Sequence, residues 1–336
     1  MKPLLFRCFA VAFGVVAALL CAEFGYRFSI FGAAAFSPRA MNSLAVVGGR
    51  ALLQAPQIPG VRYQFKPNLD VLFMLQPFRT NRFGMRDRPR DAAKKPGSLR
   101  VALVGDSFAM GFALPEEATF GRLLEPLLSE RLGREVEVLN FAVSGYSLLD
   151  YAGIVAERVG AFGPDLVLVG MCFNDFEPEH LARVRFDGVT RTPGFLRSHL
   201  WDQYLALLRH RSQPVQPPRP EGPPVYAGSP SERSQFPYVH HWLGRIREHC
   251  DRLGVPVLFV YLNFDRLDKS AEGQQVFARV AAELGVDYID LTPAFEGLDA
   301  GSLFVLPNDS HPGARANQIF AGELLEPIAA RLAGGR

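Results

Sequence analysis

The sequence predicts an α/β protein, in which a five-stranded parallel sheet is covered by helices on both faces and preceded by an N-terminal membrane segment. Three observations support this. From Leu99 onward, short apolar runs rich in Val, Leu and Ile alternate, five times over, with segments whose apolar residues recur at helical spacing. The runs are apolar along most of their length, as strands buried on both faces are, and such strands belong to parallel sheets. The 336 residues, 48% hydrophobic and 21% charged, can bury one α/β core with additions around it.

The first element is "CFAVAFGVVAALLCAEF", which carries no charge before Glu23 and is preceded by Lys2 and Arg7. Its uncharged part, Cys8 to Ala22, is 15 residues long, short of the ~20 that span a bilayer. Leu4, Leu5 and Phe6 lengthen it if Arg7 snorkels to the interface. The positive charge on the N-terminal side orients that end inward. Leu20-Cys21-Ala22 lacks the small residues that favour cleavage, so residues 1–30 read as an uncleaved anchor, with a cleaved secretory signal as the alternative. Both place the remainder outside the cytoplasm.

Residues 31–98 form a pre-domain and linker. Their most patterned piece is "FRTNRFGMRDRP", in which Arg86 or Asp87 either lines a site or serves the structure, and "DAAKKPGS" has linker composition. Residues 99–334 form the main domain. Strands are expected at 99–105, 135–143, 164–173, 255–262 and 286–291, and helices at 116–133, 147–162, 238–253, 270–285 and 314–334. One stretch interrupts the alternation. Residues 178–237 contain the Pro-rich "SQPVQPPRPEGPPVYAGSP" and read as a mobile insertion, with a short amphipathic helix at 195–210.

Ligands of doubly wound sheets bind beyond the carboxyl ends of the strands, so the residues that follow each strand are the candidates for chemistry. The first strand runs into "GDSFAMG". Ser107 there is either a nucleophile exposed at a strand-to-helix turn or, with Asp106, a helix cap. The second strand runs into "NFAVSGYS", where Gly145 lets backbone approach a ligand or merely makes a turn. The third runs into "GMCFNDF", where Asn174 offers an amide donor and Asp175 a carboxylate, or the two make a turn. "LPNDSHPGARAN" places His311 before the closing helix with Asn308 and Asp309 beside it. An imidazole near neutral pKa with a partner on its other nitrogen can act as a general base. His180, His199, His210, His240, His241 and His249 lie in the insertion or on helices and read as incidental.

Taken together, the four blocks resemble the SGNH (GDSL-like) hydrolase superfamily, over about two-thirds of the chain from Leu99 to Leu332. The resemblance implies a flavodoxin-like three-layer α/β/α sandwich and a serine esterase. It implies Ser107, His311 and Asp309 as the catalytic residues, and Ser107, Gly145 and Asn174 as the oxyanion hole. Asp106, Asp175 and Asn308 are second choices. An anchor followed by "AEFGYRF" and "TNRFGMRD" is similar to a membrane-anchored bacterial subgroup of that superfamily. Three features depart from the pattern. Gly170 lies four residues before Asn174, with Cys172 at the usual Gly position; about 80 residues separate Asn174 from the fourth strand; and position 308 is Asn, so the acid is Asp309 in an Asp-x-His spacing.

The expected activity is hydrolysis of an acyl ester, acetyl included, outside the cytoplasm. The alternatives are acyl transfer to or from a cell-envelope glycan, and a non-catalytic binding protein on the same fold. Expected substrates are small acyl esters, O-acylated glycans or lipids. No cofactor is expected. The four cysteines form no CxxC pair and no Cys/His cluster at zinc spacing, so no metal is expected either. Cys172 reads as a buried thiol, and a Cys172–Cys250 disulfide stays open. A net charge of +2 without a basic stripe excludes nucleic acid as a partner class. The GxGxxG, GxxxxGK[ST] and GxSxG signatures are absent, which excludes the dinucleotide, P-loop and α/β-hydrolase readings.

Overall fold

The computed structural model describes residues 2–38, 52–74, 76–175, 198, 200–201, 230–264, 268–306 and 309–334. Most of the expected insertion and of the helix at 195–210 lies outside the described residues, as do His180, His199, His210 and Asn308.

The chain begins with a 30-residue helix, α1 (Lys2–Phe31). Within it Phe6–Ser29 has a mean hydropathy of 2.1 and stays almost wholly uncovered by the rest of the chain. At 1.5 Å per residue the helix is ~45 Å long, enough to cross a bilayer. It is a candidate membrane segment. Its charged end is paired: Arg27 donates to Glu23 at 2.6 Å, and Glu23 accepts from the Ser198 hydroxyl and the Leu200 N–H.

The stretch ahead of the sheet, expected as a pre-domain, holds two small antiparallel ladders. In the first, β1 (Leu53–Gln54) pairs with β2 (Gln64–Phe65), and in the second β3 (Asp70–Phe73) pairs with β4 (Gln76–Arg79). Its last residues are tied into the main domain by buried charges. Arg90 bonds Asp87 at 2.9 Å and Glu125, and Arg100 of the main domain, which bonds Glu137 at 2.6 Å, also donates to the Asp91 and Ala92 carbonyls. Removing one member of such a buried pair typically costs ~3–5 kcal/mol, because the other charge is left uncompensated.

The main domain is built on five parallel strands: β5 (Leu99–Gly105), β6 (Val136–Asn140), β7 (Leu166–Met171), β8 (Val257–Tyr261) and β9 (Asp287–Asp290). Their order across the sheet is β6-β5-β7-β8-β9. Between them run α2 (Ser107–Met110), α3 (Phe120–Leu132), α4 (Leu148–Glu157), α5 (Pro230–Leu253), α6 (Asp268–Leu284) and the closing α7 (Ala314–Gly334). The sheet steps from β5 to one neighbour and then back past β5 to the other. Right-handed crossovers therefore put the connecting helices on opposite faces. α3 packs with α7, while α4, α5 and α6 pack in succession on the other side, which makes the three-layer α/β/α arrangement. β5, β6 and β7 are buried throughout, and their runs are mostly apolar, with the polar exceptions Arg100 and Glu137 paired with each other.

The strands sit where the apolar runs predict, trimmed by one to three residues at some ends. Three helix boundaries are corrected. The helix expected at 116–133 begins at Phe120 after a 3-10 turn at Glu116–Ala118, and the one expected at 147–162 ends at Glu157, with a 3-10 turn at Val159–Phe162 beyond it. α5 begins at Pro230 and not at residue 238, so the last eight residues of the expected insertion belong to a helix. All four cysteines are free, which removes the Cys172–Cys250 disulfide.

Candidate active site

The reversal of strand order falls at β5, between β6 and β7, and opens a crevice beyond their carboxyl ends. Gly105 pairs with Gly170 across β5 and β7 there. A side chain at Gly105 would meet Ala109 Cβ at 2.5 Å and the Gly170 carbonyl at 2.6 Å, so glycine is required for α2 to fold back over the strand ends. Asp106 caps that helix by accepting the Phe108 N–H at 2.8 Å. This leaves the Ser107 N–H, the first of the helix, without a donor role among the described residues.

From Ser107 a chain of hydrogen bonds runs to the far end of the sequence. The Ser107 hydroxyl lies 2.9 Å from His311 Nε2, and His311 Nδ1 lies 2.5 Å from Asp309 Oδ1. The same carboxylate oxygen accepts the His311 backbone N–H at 2.8 Å. With Nδ1 donating to the carboxylate, Nε2 of that tautomer faces the Ser107 hydroxyl as an acceptor. Burial by itself raises the Asp309 pKa, but the His311 hydrogen bonds and charge outweigh it and hold the carboxyl below its ordinary range. A serine hydroxyl so placed can pass its proton to the imidazole as its oxygen attacks a carbonyl.

Behind Ser107 lies a buried polar knot. Asp106 Oδ2 stands 3.1 Å from the Ser107 hydroxyl and 3.2 Å from the Cys172 thiol. Cys172 Sγ is also 2.8 Å from Asn174 Oδ1, which accepts from the thiol, so the NH₂ end of that carboxamide is the end left to donate. Asp175 accepts from the Tyr151 hydroxyl at 2.7 Å and from the Cys172 N–H at 2.8 Å. Burial raises the Asp106 pKa. Burial, and then the charge of Asp106, push Asp175 well above the ordinary carboxyl value. Burial followed by the two neighbouring carboxylates keeps the Cys172 thiol protonated. Asp106, Cys172 and Asp175 bring their ligand atoms within 4.8 Å of one another, and all three engage in hydrogen bonds to their surroundings.

Gly145 lies on the loop after β6. Its φ is +77°, and a Cβ there would sit 2.7 Å from the Tyr63 hydroxyl, so only glycine fits. The loop is gripped from the pre-domain. Arg62 donates to the Gly145 carbonyl at 2.7 Å and pairs with Asp150 at 2.5 Å, while the Tyr63 hydroxyl donates to the Ser144 carbonyl at 3.0 Å. Gly145 donates its own N–H to no group among the described residues.

The structure thus brings Asp106, Ser107, Asp309 and His311 into direct contact and joins Asn174 and Asp175 to them through Cys172. Gly145 stands on the adjoining loop. Sequence reasoning missed the grip of Arg62 and Tyr63, the Tyr151–Asp175 bond and the linking role of Cys172. The one signal for the last was a cysteine standing where the block ordinarily has glycine. It also missed Phe112, whose ring stacks on His311 with centroids 4.1 Å apart.

Residues 103–319 match the family model described as GDSL-like Lipase/Acylhydrolase family. A comparison with curated proteins gives no match. Among solved structures, an acetylxylan esterase from Geobacillus stearothermophilus, Axe2, is 18% identical with a TM-score of 0.43, covering 70% of this chain and 96% of its own. LAE5, an alpha/beta hydrolase enzyme from the metagenome of Lake Arreo, Spain, is 17% identical with a TM-score of 0.44, covering 70% and 96%.

Proposed function

Because the chain belongs to the GDSL-like lipase/acylhydrolase family and is accordingly an ester-bond hydrolase, we propose that it cleaves acyl esters through a covalent acyl-enzyme on Ser107. The observation that carries this reading is the unbroken Asp309–His311–Ser107 hydrogen-bond chain. Ser107 Oγ attacks the ester carbonyl as its proton passes to His311 Nε2. The carbonyl π electrons move onto oxygen, giving a tetrahedral oxyanion. When that collapses, the alcohol leaves with the proton from His311, and the acyl group stays on Ser107. Water then repeats the sequence, with His311 as its base, and releases the carboxylic acid. Asp309 fixes the ring tautomer and stabilises the imidazolium.

The oxyanion is received by the Ser107 N–H, the Gly145 N–H and the Asn174 carboxamide. Each such donor is worth ~3 kcal/mol of transition-state stabilisation, or about a hundredfold in turnover. Residues 1–30 anchor the enzyme with its N-terminus inside, residues 31–98 form the pre-domain, and residues 99–334 form the hydrolase domain facing the cell exterior or periplasm. This location favours O-acylated envelope glycans or lipids as substrates.

Purified protein and its Ser107→Ala variant are to be compared on a small aryl acetate. The variant should lose activity by at least three orders of magnitude, of the order seen when such a nucleophile is removed. Equal hydrolysis by both would overturn the serine mechanism.

A further inference from the structure

Arg86 is almost wholly buried, at 3% exposure, yet among the described residues no carboxylate lies within ion-pair distance of it. Its guanidinium is spent on backbone. It donates to the Met110 carbonyl at 2.9 Å and to the carbonyls of Gly111 and Leu114. Its carbon also lies 4.9 Å from the centre of the Phe78 ring. The turn that supplies Arg86 is itself held by a side chain. Asn81 Oδ1 accepts the N–H groups of Phe83 and Met85, and its NH₂ donates to the Arg88 carbonyl. Residues 81–88 are therefore a rigid mount for one cation.

The backbone that Arg86 holds is unusual. Gly111 has φ +84° and Ala113 has φ +56°, a left-handed conformation that alanine adopts only when its surroundings enforce it. Between them stands Phe112. Its N–H donates to the Ser107 carbonyl at 3.0 Å, and its ring lies against His311 at 4.1 Å with 23° between the planes. Phe73 of the pre-domain packs edge-on against Phe112 at 5.4 Å, and Phe73 in turn meets Phe78, the ring beneath Arg86.

The two hydrogen bonds of His311 leave from Nδ1 and Nε2, both in the ring plane. Alone they permit the imidazole to rock about the line joining those nitrogens. A flat contact on one face removes that motion. Phe112 supplies the contact, and Phe112 is where it is because of carbonyls that Arg86 holds. We propose that Arg86 is a positioning residue for His311: through the 110–114 turn and Phe112, the segment ahead of the matched family region sets the tilt of the catalytic base. The inference rests on the reading of His311 as that base. Arg86, Phe73 and Phe78 all lie outside residues 103–319.

The test is a double-mutant cycle on the full chain in detergent, with Arg86→Met, Phe112→Leu and the pair, plus Arg86→Lys. A serine-directed fluorophosphonate, taken to its end point, counts competent sites, and kcat is expressed per labelled site. Arg86→Met and Phe112→Leu should each lower kcat per site about ten- to a hundredfold with KM little changed, because a misplaced group costs rate more than binding. The pair should be no worse than the worse single, and Arg86→Lys should recover part of the loss. If Arg86→Met fails to fold, the cycle is run with Arg86→Lys in its place. A kcat per site within about twofold of wild type would reduce Arg86 to a brace for folding. Multiplying effects in the pair would show that it does not act through Phe112. Hydrolysis that survives Ser107→Ala would sink the parent reading instead, whatever the cycle gives.

Discussion

Asp309 and His311 are two residues apart, and this spacing has a geometric reason. One carboxylate oxygen accepts both the backbone N–H and the ring Nδ1–H of His311, so the acid fixes the loop and the imidazole together. Asp309→Ala should therefore cost two to four orders of magnitude in kcat, as loss of a ring-orienting carboxylate does in comparable triads. Asn308→Ala should stay near wild type. The opposite pattern, measured on the same ester, would move the acid role off Asp309. The Asp309 pKa is lowered, so the carboxylate stays ionised through the neutral range and the pH–rate profile owes it no inflection there. Ser107, Asp309 and His311 were legible in the sequence because short local blocks carry them. Phe112 was not. An aromatic near a Gly-Asp-Ser block reads as core, and nothing local connects it to a histidine far along the chain.

At the scale of elements, α2 shows how a cap and a buried charge interact. Asp106 caps the helix, yet burial raises its pKa, so the folded state binds that proton more tightly than the unfolded chain does. Its contribution to stability is thus greatest below the ordinary carboxyl range and declines as pH rises towards the raised value. Asp106→Asn keeps an acceptor for the Phe108 N–H and removes the titration. Thermal unfolding followed from about pH 4 to about pH 8 should give a shallower fall of Tm in the variant. A fall as steep as that of wild type would take Asp106 out of the account. The central strands were legible because burial on both faces demands mostly apolar residues. The start of α5 was not, because its first turns carry Pro230 and Pro237 beside a Pro-rich tract. Proline is tolerated where a helix begins, and buried Phe236, Tyr238 and Val239 supply packing that outweighs the hydrogen bond lost at Pro237.

Across the whole molecule, a long apolar helix is joined to a hydrolase core by residues, expected as a pre-domain, that grip the core at two places. Arg62 and Tyr63 hold the Gly145 loop, and Arg86 holds the turn after α2. Composition alone suggested a pre-domain and linker but not these grips, since scattered Pro, Gly and Arg carry no periodicity, and side-chain bonds to distant carbonyls leave no trace in a local pattern. The proposed membrane role of α1 has its own test. Val15→Arg with Leu19→Arg adds ~5–7 kcal/mol to the cost of insertion. The full chain should resist alkaline extraction from membranes and the double variant should not. Equal retention of both would count against a spanning helix.

Ser107 and His311 are 204 residues apart in the chain. A ribosome adds about 5–20 residues per second, so the serine is made roughly 10–40 s before the histidine proposed to activate it. During that interval the growing polypeptide carries the hydroxyl but not its base. On the proposed mechanism, a product released anywhere short of residue 311 would lack the base. The proposed active site is then complete only once residue 311 is made, just ahead of the closing helix α7 (Ala314–Gly334).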